Sequence, residues 1–199
     1  PQPFVLAATQ NNLESEGVWP LGEAQSDRFM MSIQLAYPGK DEEREILART
    51  TGAGPAEVRP VTDAQTVLAM QQLACNVPVV PYVRDFALAI VRASRISEPE
   101  CPAEIRSAIR LGASPRTSQA LLLSGKVLAL ARGRSHVSRQ DIEDVAEPVL
   151  RHRLMLDFRA AAEGRGFDFV FKRLMEAARA RARPQVSRWT RPLLSARES

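Results

Sequence analysis

The pattern of apolar and polar positions changes once along the chain, after about residue 39. Residues 4–8 (FVLAA) form a continuous apolar run, which is typical of a strand buried on both faces. Residues 29–36 (FMMSIQLA) alternate bulkier apolar positions with smaller or more polar ones, the period of two of a strand with one buried face. The pattern therefore predicts two short strands, joined by a polar linker.

Helical spacing dominates after the break at Tyr37-Pro38-Gly39. Apolar residues recur every three or four positions, and caps and breakers mark the ends of the helices. Ser114-Pro115 predicts a capped helix start, and Ser138 with Asp141 predicts a capping box. The predicted helices cover approximately residues 41–49, 62–75 (opened by Thr62), 82–95, 103–109 (short or irregular), 115–133, 138–154 (bent at Pro148) and 167–180. Because two isolated strands make no stable sheet, residues 1–36 are interpreted as the end of a larger sheet.

Composition limits the class of protein. The chain has 199 residues, of which 45% are hydrophobic and 25% charged, as in ordinary globular proteins. No apolar run approaches the roughly 20 residues of a membrane span, and the first residues have no signal-peptide pattern, so we expect a cytoplasmic protein without membrane contact. Cys75 and Cys101 lie in unrelated contexts, which indicates neither a disulfide framework nor a metal site.

The formal net charge of +4 is concentrated at the C-terminus. Residues 172–199, called here the basic C-terminal segment, contain eight basic and two acidic residues. Such a segment is either a solvated arginine-rich helix end or a contact surface for an anionic partner such as nucleic acid. Trp189 is the only aromatic residue in it, so a stacking platform for bases is not evident and nucleic-acid binding is not the preferred interpretation.

Several short motifs follow one another in an order that resembles one known family. Motifs are found at residues 8–11 (ATQN), 14–17 (ESEG), 20–25 (PLGEAQ), 27–29 (DRF), 112–116 (GASPR) and 149–154 (VLRHRL). In this order they resemble the sensor-one and arginine-finger region, the sensor-two motif and a recurring C-terminal segment of the MoxR family of AAA+ ATPases. The similarity extends from about residue 4 to residue 175.

The resemblance implies roles for Asn11 and Arg28. Asn11 would orient a water molecule beside a γ-phosphate, although an asparagine after a strand is more commonly a turn residue. Arg28 would be the arginine finger, which places a permanent charge at the nucleotide of a neighbouring subunit. A lone arginine before a strand is otherwise a solvated side chain. Glu23 and Asp27 are predicted to hold the Arg28 guanidinium when no nucleotide is present.

Arg116 is implied to be the sensor-two arginine, and its local position supports phosphate binding. It lies in the first turn of a helix that Ser114 is predicted to cap, where unpaired N–H groups and the helix dipole favour an anion. A cation at this end of a helix is unfavourable by about 0.3 to 1 kcal/mol. An anion or a nearby acid is therefore expected to compensate Arg116.

Two features depart from the complete family pattern. Asn12 replaces the proline that commonly follows the sensor asparagine. The chain also contains no G-x-x-x-x-G-K-[ST] motif, since Gly125-Lys126 lies within an apolar helix, and no strand that ends in paired acids. We therefore expect the phosphate-binding half to lie upstream of Pro1, and the 199-residue fragment alone to be inactive as an ATPase.

The resulting prediction is a mainly α protein, in which residues 1–39 are the two-stranded C-terminal remnant of an αβα AAA+ domain and residues 40–199 an all-α helical-bundle lid with the basic segment. The resemblance implies that the parent uses ATP and Mg²⁺, neither bound tightly by this fragment, and forms a homo-oligomeric ring, expected to be a hexamer. It also implies chaperone-like remodelling of protein partners, often ones with von Willebrand factor A domains. A stand-alone helical nucleic-acid-binding or adaptor module is the alternative.

Overall fold

The structure, a computed structural model, describes residues 2–10, 21–52 and 58–182 of the chain. Within these residues it is mainly helical, with one small antiparallel sheet. The elements run in the order α1 (Glu23–Ser26), α2 (Lys40–Thr50), α3 (Ala64–Asn76), α4 (Pro81–Ala93), α5 (Ala103–Arg106), β1 (Ile109–Leu111), α6 (Pro115–Ala131), α7 (Arg139–Leu150), β2 (Met155–Leu156), α8 (Phe158–Ala162) and α9 (Phe167–Arg181).

The hydrophobic core forms around α4, which packs against α6, α7 and α9. Phe86 and Ile90 of α4 are fully buried, as are Leu121 of α6, Ile142 of α7 and Leu174 of α9. These residues recur on one face of each helix because the apolar positions have helical spacing. The predicted helical bundle is confirmed, and its core lies between residues 77 and 182.

Gly125 lies where α6 crosses α7. A Cβ atom at this position would lie 2.8 Å from Cδ1 of Ile142 and 3.3 Å from Cγ1 of Val137, so glycine allows these two side chains to pack closely against α6. The neighbouring Lys126 donates a hydrogen bond of 2.6 Å to the carbonyl of Cys75, near the end of α3. Gly125-Lys126 thus has a packing role, consistent with its rejection as a phosphate loop.

The turn between α6 and α7 is organised by the buried carboxylate of Asp141. Arg134 donates two hydrogen bonds to it, one of them 2.6 Å long, and Arg132 approaches it at 3.3 Å. Ser138 donates to the same carboxylate through its hydroxyl at 2.7 Å and its backbone N–H at 2.8 Å, which confirms the predicted capping box. Burial alone would raise the pKa of Asp141, but the hydrogen bonds from Arg134 and Ser138 outweigh it and hold that pKa well below its usual value.

The predicted strands at residues 4–8 and 29–36 are not strands in the structure. Both segments lack a hydrogen-bonded partner strand among the described residues, and Phe4, Val5 and Leu35 expose between 77% and 91% of their surface. An apolar alternation forms a strand only when a neighbouring strand completes the ladder.

The two strands that do form were not predicted. Strand β1 pairs antiparallel with β2, with Ile109 opposite Leu156 and Leu111 opposite Met155. Both strands are too short to show a period of two, and their pairing joins segments more than 40 residues apart. Helices α1 and α8 were likewise missed, because four or five residues show no helical period.

Most helix boundaries agree with the predicted ones to within two residues, but α7 ends at Leu150 and not at residue 154, and α5 ends at Arg106 and not at residue 109. Two caps also differ. Helix α3 is capped by Asp63, whose side chain accepts from the N–H of Thr66 at 2.7 Å, and not by Thr62. At the start of α6, Ser114 is in the N-cap position and Pro115 in the first turn as predicted, but the Ser114 side chain makes no capping bond. Its hydroxyl points instead to Asp27.

No single helix among the described residues has the length and apolar composition needed to cross a bilayer; helices α3 and α4 meet that test only as a pair, bent by 96°.

Candidate functional site

An open cavity of about 390 Å³ lies where the segment after α1 meets the first turns of α6. Four of its lining residues are charged and come from three separate parts of the chain: Asp27, Arg28, Arg116 and Arg153. The remaining lining residues are Met30, Gln119, Ala120 and Leu123. The structure thus places two of the three predicted site residues, Arg28 and Arg116, beside the same cavity.

The side chain of Arg28 is exposed beside the cavity, and its guanidinium makes no hydrogen bond or ion pair within the part of the chain that the structure describes. The prediction that Glu23 and Asp27 hold it is wrong, because both acids are engaged elsewhere. Glu23 forms an ion pair with Arg110, and Asp27 binds Arg153 at 3.1 Å. The charge of Arg28 therefore remains available to an anion.

Arg116 is the second residue of α6 and is also exposed, with no ion pair to any described acid. Its charge opposes the positive end of the helix dipole, as predicted. Asp27, an acid that lines the same cavity, accepts the Ser114 hydroxyl through both carboxylate oxygens, at 2.9 and 3.1 Å. The Ser114 hydroxyl is thus directed at Asp27, and the Ser114 oxygen accepts no capping bond from the first N–H groups of α6.

The loop before α6 is held against the end of α4 by Gly112. A Cβ atom there would lie 2.3 Å from the carbonyl oxygen of Ser94, a distance that no real contact tolerates. The next residue is fixed on both sides, because the N–H of Ala113 donates to Oγ of Ser94 at 2.9 Å and its carbonyl accepts from Nε of Arg95 at 3.0 Å. The glycine of the GASPR motif therefore determines where the first turn of α6 begins.

Replacing Gly112 by alanine is expected to lower the free energy of unfolding of the chain by about 1 to 3 kcal/mol, the usual cost of overpacking. The backbone of Ser94 cannot rotate away as a side chain would. Urea unfolding followed by circular dichroism measures the change. Gly166→Ala is the matched control, since a Cβ there meets no atom within 4 Å, and it should cost about 0.5 kcal/mol or less. Equal stability of the two variants would contradict the clash.

Arg153 also lines the cavity and is almost fully buried, with 3% of its side chain exposed. Its guanidinium donates to the carboxylate and the backbone carbonyl of Asp27, and to the carbonyls of Phe29, Met30 and Val149. Burial lowers the pKa of Arg153 and its bond to Asp27 opposes that shift. With five N–H donors and five acceptors, the guanidinium is fully satisfied.

His152 makes a second contact with the same segment. Its Nε2 lies 3.0 Å from the carbonyl of Phe29, and since a carbonyl only accepts, Nε2 carries the proton. Burial lowers the pKa of His152, which favours this neutral form at neutral pH. The imidazole is therefore a structural contact of residue 29, in keeping with the absence of a predicted catalytic role.

Asn11, the third predicted site residue, lies outside the described residues. Sequence reasoning missed the roles of Asp27 and Arg153. The VLRHRL motif, which contains Arg153, was recognised as part of the resemblance, but nothing in its spacing shows that its second arginine is buried against residues 27–30. That contact joins positions 126 residues apart.

The site has the chemistry of a polyanion receptor that is open on one side. Two exposed guanidiniums on different elements provide fork-shaped donors that match phosphate oxygens. No group of three or more His, Cys, Asp or Glu side chains suited to a metal ion is found within residues 2–10, 21–52 and 58–182.

Two parts of the chain match known family models. The family model of the AAA lid domain matches residues 103–169, which contain α6, α7 and Arg116. The model of the ATPase family associated with various cellular activities (AAA) matches residues 1–31, which contain Arg28.

Two curated relatives and one solved structure are similar to most of this chain. Chaperone MoxR1 of Mycobacterium tuberculosis is 38% identical over 187 residues, which cover 94% of this chain and 48% of the relative. Protein MoxR of Paracoccus denitrificans is 31% identical over 160 residues, covering 75% of this chain and 47% of the relative. A crystal structure of a protein from Cytophaga hutchinsonii, named as a candidate ATPase, superimposes with a TM-score of 0.81 at 31% identity and covers 89% of this chain and 54% of that one.

The chain belongs to the MoxR-type AAA+ ATPases. It corresponds to the C-terminal portion of the family pattern, an end segment of the ATPase domain followed by the lid, and spans about half the length of the curated relatives it matches. The predicted fold class, mainly α with a helical lid, is thereby confirmed.

Two of the four basic side chains in the described part of the basic C-terminal segment are paired with acids of this MoxR-type chain. Arg173 forms ion pairs with Glu104 and Glu176, and Arg179 forms one with Glu143 at 3.0 Å. The pairs with Glu104 and Glu143 join α9 to α5 and α7. Residues 183–199 lie outside the described part, so the alternative of an anion-binding segment stays a prediction for them.

Proposed function

We propose that this chain is the lid-containing part of a MoxR-type ATPase and that Arg28 and Arg116 act together on one polyphosphate. The single observation that carries the proposal is that both guanidiniums are exposed, lack an acidic partner among the described residues, and line the same cavity. Arginines without a structural partner on a shared surface are suited to an anion that another part of an assembly supplies.

In this proposal residues 1–39 complete the nucleotide-binding domain, residues 40–199 form the lid with its basic segment, and a polypeptide half with the phosphate loop precedes them. Bound ATP with its magnesium ion supplies the γ-phosphoryl group to be transferred to water. Arg28 stabilises the negative charge that accumulates on the phosphoryl oxygens, as an arginine finger from a neighbouring subunit. Arg116 contacts the same anion from the first turn of α6. We further propose that Asn11 orients the attacking water.

The assembly we propose is a homo-oligomeric ring, a hexamer in the family pattern. In a closed ring every arginine finger meets the nucleotide of a neighbouring subunit. Its work would be the chaperone-like remodelling of protein partners, including proteins with von Willebrand factor A domains. The relative from Mycobacterium tuberculosis is named a chaperone, which supports this assignment. The isolated 199-residue chain is proposed to have no ATPase activity of its own, because it has no phosphate loop.

Rings assembled from two variants of the complete ATPase test the proposal. They also show whether each arginine acts on the nucleotide of its own subunit or on that of a neighbour. One partner is the complete ATPase with a disabled phosphate loop, which keeps Arg28 and Arg116. The other is Arg28→Ala or Arg116→Ala with an intact loop. We expect each preparation alone to be nearly inactive, and the mixture with Arg28→Ala to recover hydrolysis, since a neighbour supplies the finger.

Recovery with Arg116→Ala as well would assign both arginines to the same neighbouring nucleotide, as the shared cavity suggests. No recovery in the Arg28→Ala mixture, at subunit ratios that do form rings by light scattering, would refute the finger assignment. Arg84→Ala is the control, because Arg84 is an exposed arginine on α4 that does not line the cavity. Its activity should equal that of the unmodified protein.

A further inference from the structure

The geometry points to Arg153 as a positioning residue of this site: it holds the backbone on both sides of Arg28 and, through Asp27 and Ser114, the first turn of the helix that carries Arg116. This inference rests on the proposed function of the two exposed arginines. Arg153 lines the cavity floor, but its guanidinium is directed at the protein and has no donor left for a ligand.

The first step concerns Arg28. Three of the acceptors of Arg153 are the carbonyl oxygens of residues 27, 29 and 30, at 3.2 Å for Asp27 and 3.0 Å for Met30. The peptide unit before Arg28 and the two units that follow Phe29 and Met30 are therefore bound to one rigid, planar group, while the Arg28 side chain makes no hydrogen bond or ion pair with described residues. Such an arrangement fixes the position of the Arg28 backbone and does not restrict its guanidinium.

The second step concerns Arg116. The carboxylate of Asp27 accepts from Nε of Arg153 and from the hydroxyl of Ser114, which is the N-cap position of α6. Arg153, Asp27 and Ser114 form a continuous chain of hydrogen bonds from the end of α7 to the start of α6. A displacement of residues 27–30 would thus also change the position of Arg116.

A role in stability alone explains this arrangement less well. The acceptors of Arg153 are, apart from Val149, on an irregular segment that buries little apolar surface of its own. Met31 of that segment packs against the bundle core, but the buried residues of the core itself all lie between residues 77 and 182. The same segment also binds α7 directly, because the N–H of Ser32 donates to the carbonyl of Pro148 at 2.9 Å.

The first experiment measures amide hydrogen exchange in the 199-residue chain, comparing Arg153→Lys with the unmodified protein. Lysine keeps the charge but has three donors and no fork. We expect the amides of Phe29 and Ser32 to exchange about tenfold faster, and core amides of α4 to keep their rates. Equal acceleration in α4 would mean general destabilisation and would overturn the positioning role.

Arg151→Lys is the matched control, since Arg151 lies two residues away but pairs with Glu147 and Asp168 and makes no contact with residues 27–30. It should leave the exchange of Phe29 and Ser32 unchanged. If Arg153→Lys fails to fold, Ser114→Ala takes its place, because it removes only the hydroxyl that joins Asp27 to α6. It should reduce kcat less in the Arg116→Ala background than in the unmodified protein.

The second experiment is a double-mutant cycle on kcat in the complete ATPase. If Arg153 acts through Arg28, Arg153→Lys should lower kcat about tenfold in the unmodified protein and less than about threefold in the Arg28→Ala background. Equal factors in the two backgrounds would overturn the inference and leave the proposed function standing. If Arg28→Ala alone kept full activity, the proposed function would fail, while the exchange experiment would still report on the tether.

Discussion

Replacing Arg28 by alanine is expected to lower kcat of the complete ATPase about a thousandfold, the lower end of what arginine fingers contribute. The side chain is exposed and makes no contact with described residues, so its removal takes away a charge without leaving a partner unsatisfied. The melting temperature of the 199-residue chain should therefore stay within about 1 °C of the unmodified value. A loss of activity with unchanged stability separates a chemical role from a structural one.

Steady-state hydrolysis at saturating ATP measures kcat, and the Arg84→Ala variant controls for the removal of any exposed arginine. Arg28→Lys distinguishes the planar fork from simple charge, and it should recover only part of the lost rate. A kcat within threefold of the unmodified value for Arg28→Ala would contradict the role assigned to this residue.

Asp141→Asn is expected to lower the free energy of unfolding by about 3 kcal/mol, the lower end for a broken buried ion pair. The carboxylate is fully buried and accepts from Arg134, Arg132 and Ser138, whereas an amide offers one acceptor atom in place of two. The two arginines are partly exposed and regain water, which limits the cost. Urea unfolding at pH 7 measures this difference.

We also expect the difference in unfolding free energy between the unmodified chain and Asp141→Asn to depend on pH. The pKa of Asp141 is depressed in the folded state, so its stabilising contribution is fully present above the unfolded value of about 3.9 and is lost as the pH falls through the lowered folded pKa. The difference in unfolding free energy between the unmodified chain and Asp141→Asn should therefore shrink below about pH 4. Asp144→Asn is the control, since Asp144 pairs with Arg132 at the surface and should contribute about 0.5 kcal/mol or less. A pH-independent difference for Asp141→Asn would be inconsistent with an ionised carboxylate.

The helices could be predicted from the sequence because their signals are local. The caps at Ser138 and Asp141, the proline in the first turn of α6 and the apolar spacing of α9 all act within one or two turns. Strands at residues 4–8 and 29–36 were predicted from equally clear patterns and do not form, since a strand also depends on a partner that the pattern does not contain.

The site was predictable in part. Arg28 and Arg116 were identified from the order of short motifs, and the structure adds that they line one cavity although they are 88 positions apart. The supposed partners of Arg28 were wrong, because the sequence shows that Asp27 is adjacent but not that Arg153 reaches it from the end of α7.

By itself, the sequence determined the helical bundle, the approximate ends of most of its helices and the capping of α7, because these depend on residues within a few positions of one another. Only the tertiary structure decided that Gly112 and Gly125 are packing glycines, that Ser114 donates to Asp27, and that Arg153 holds the segment around Arg28. Each of these depends on groups far apart in the chain, whose distances are set by how the helices pack.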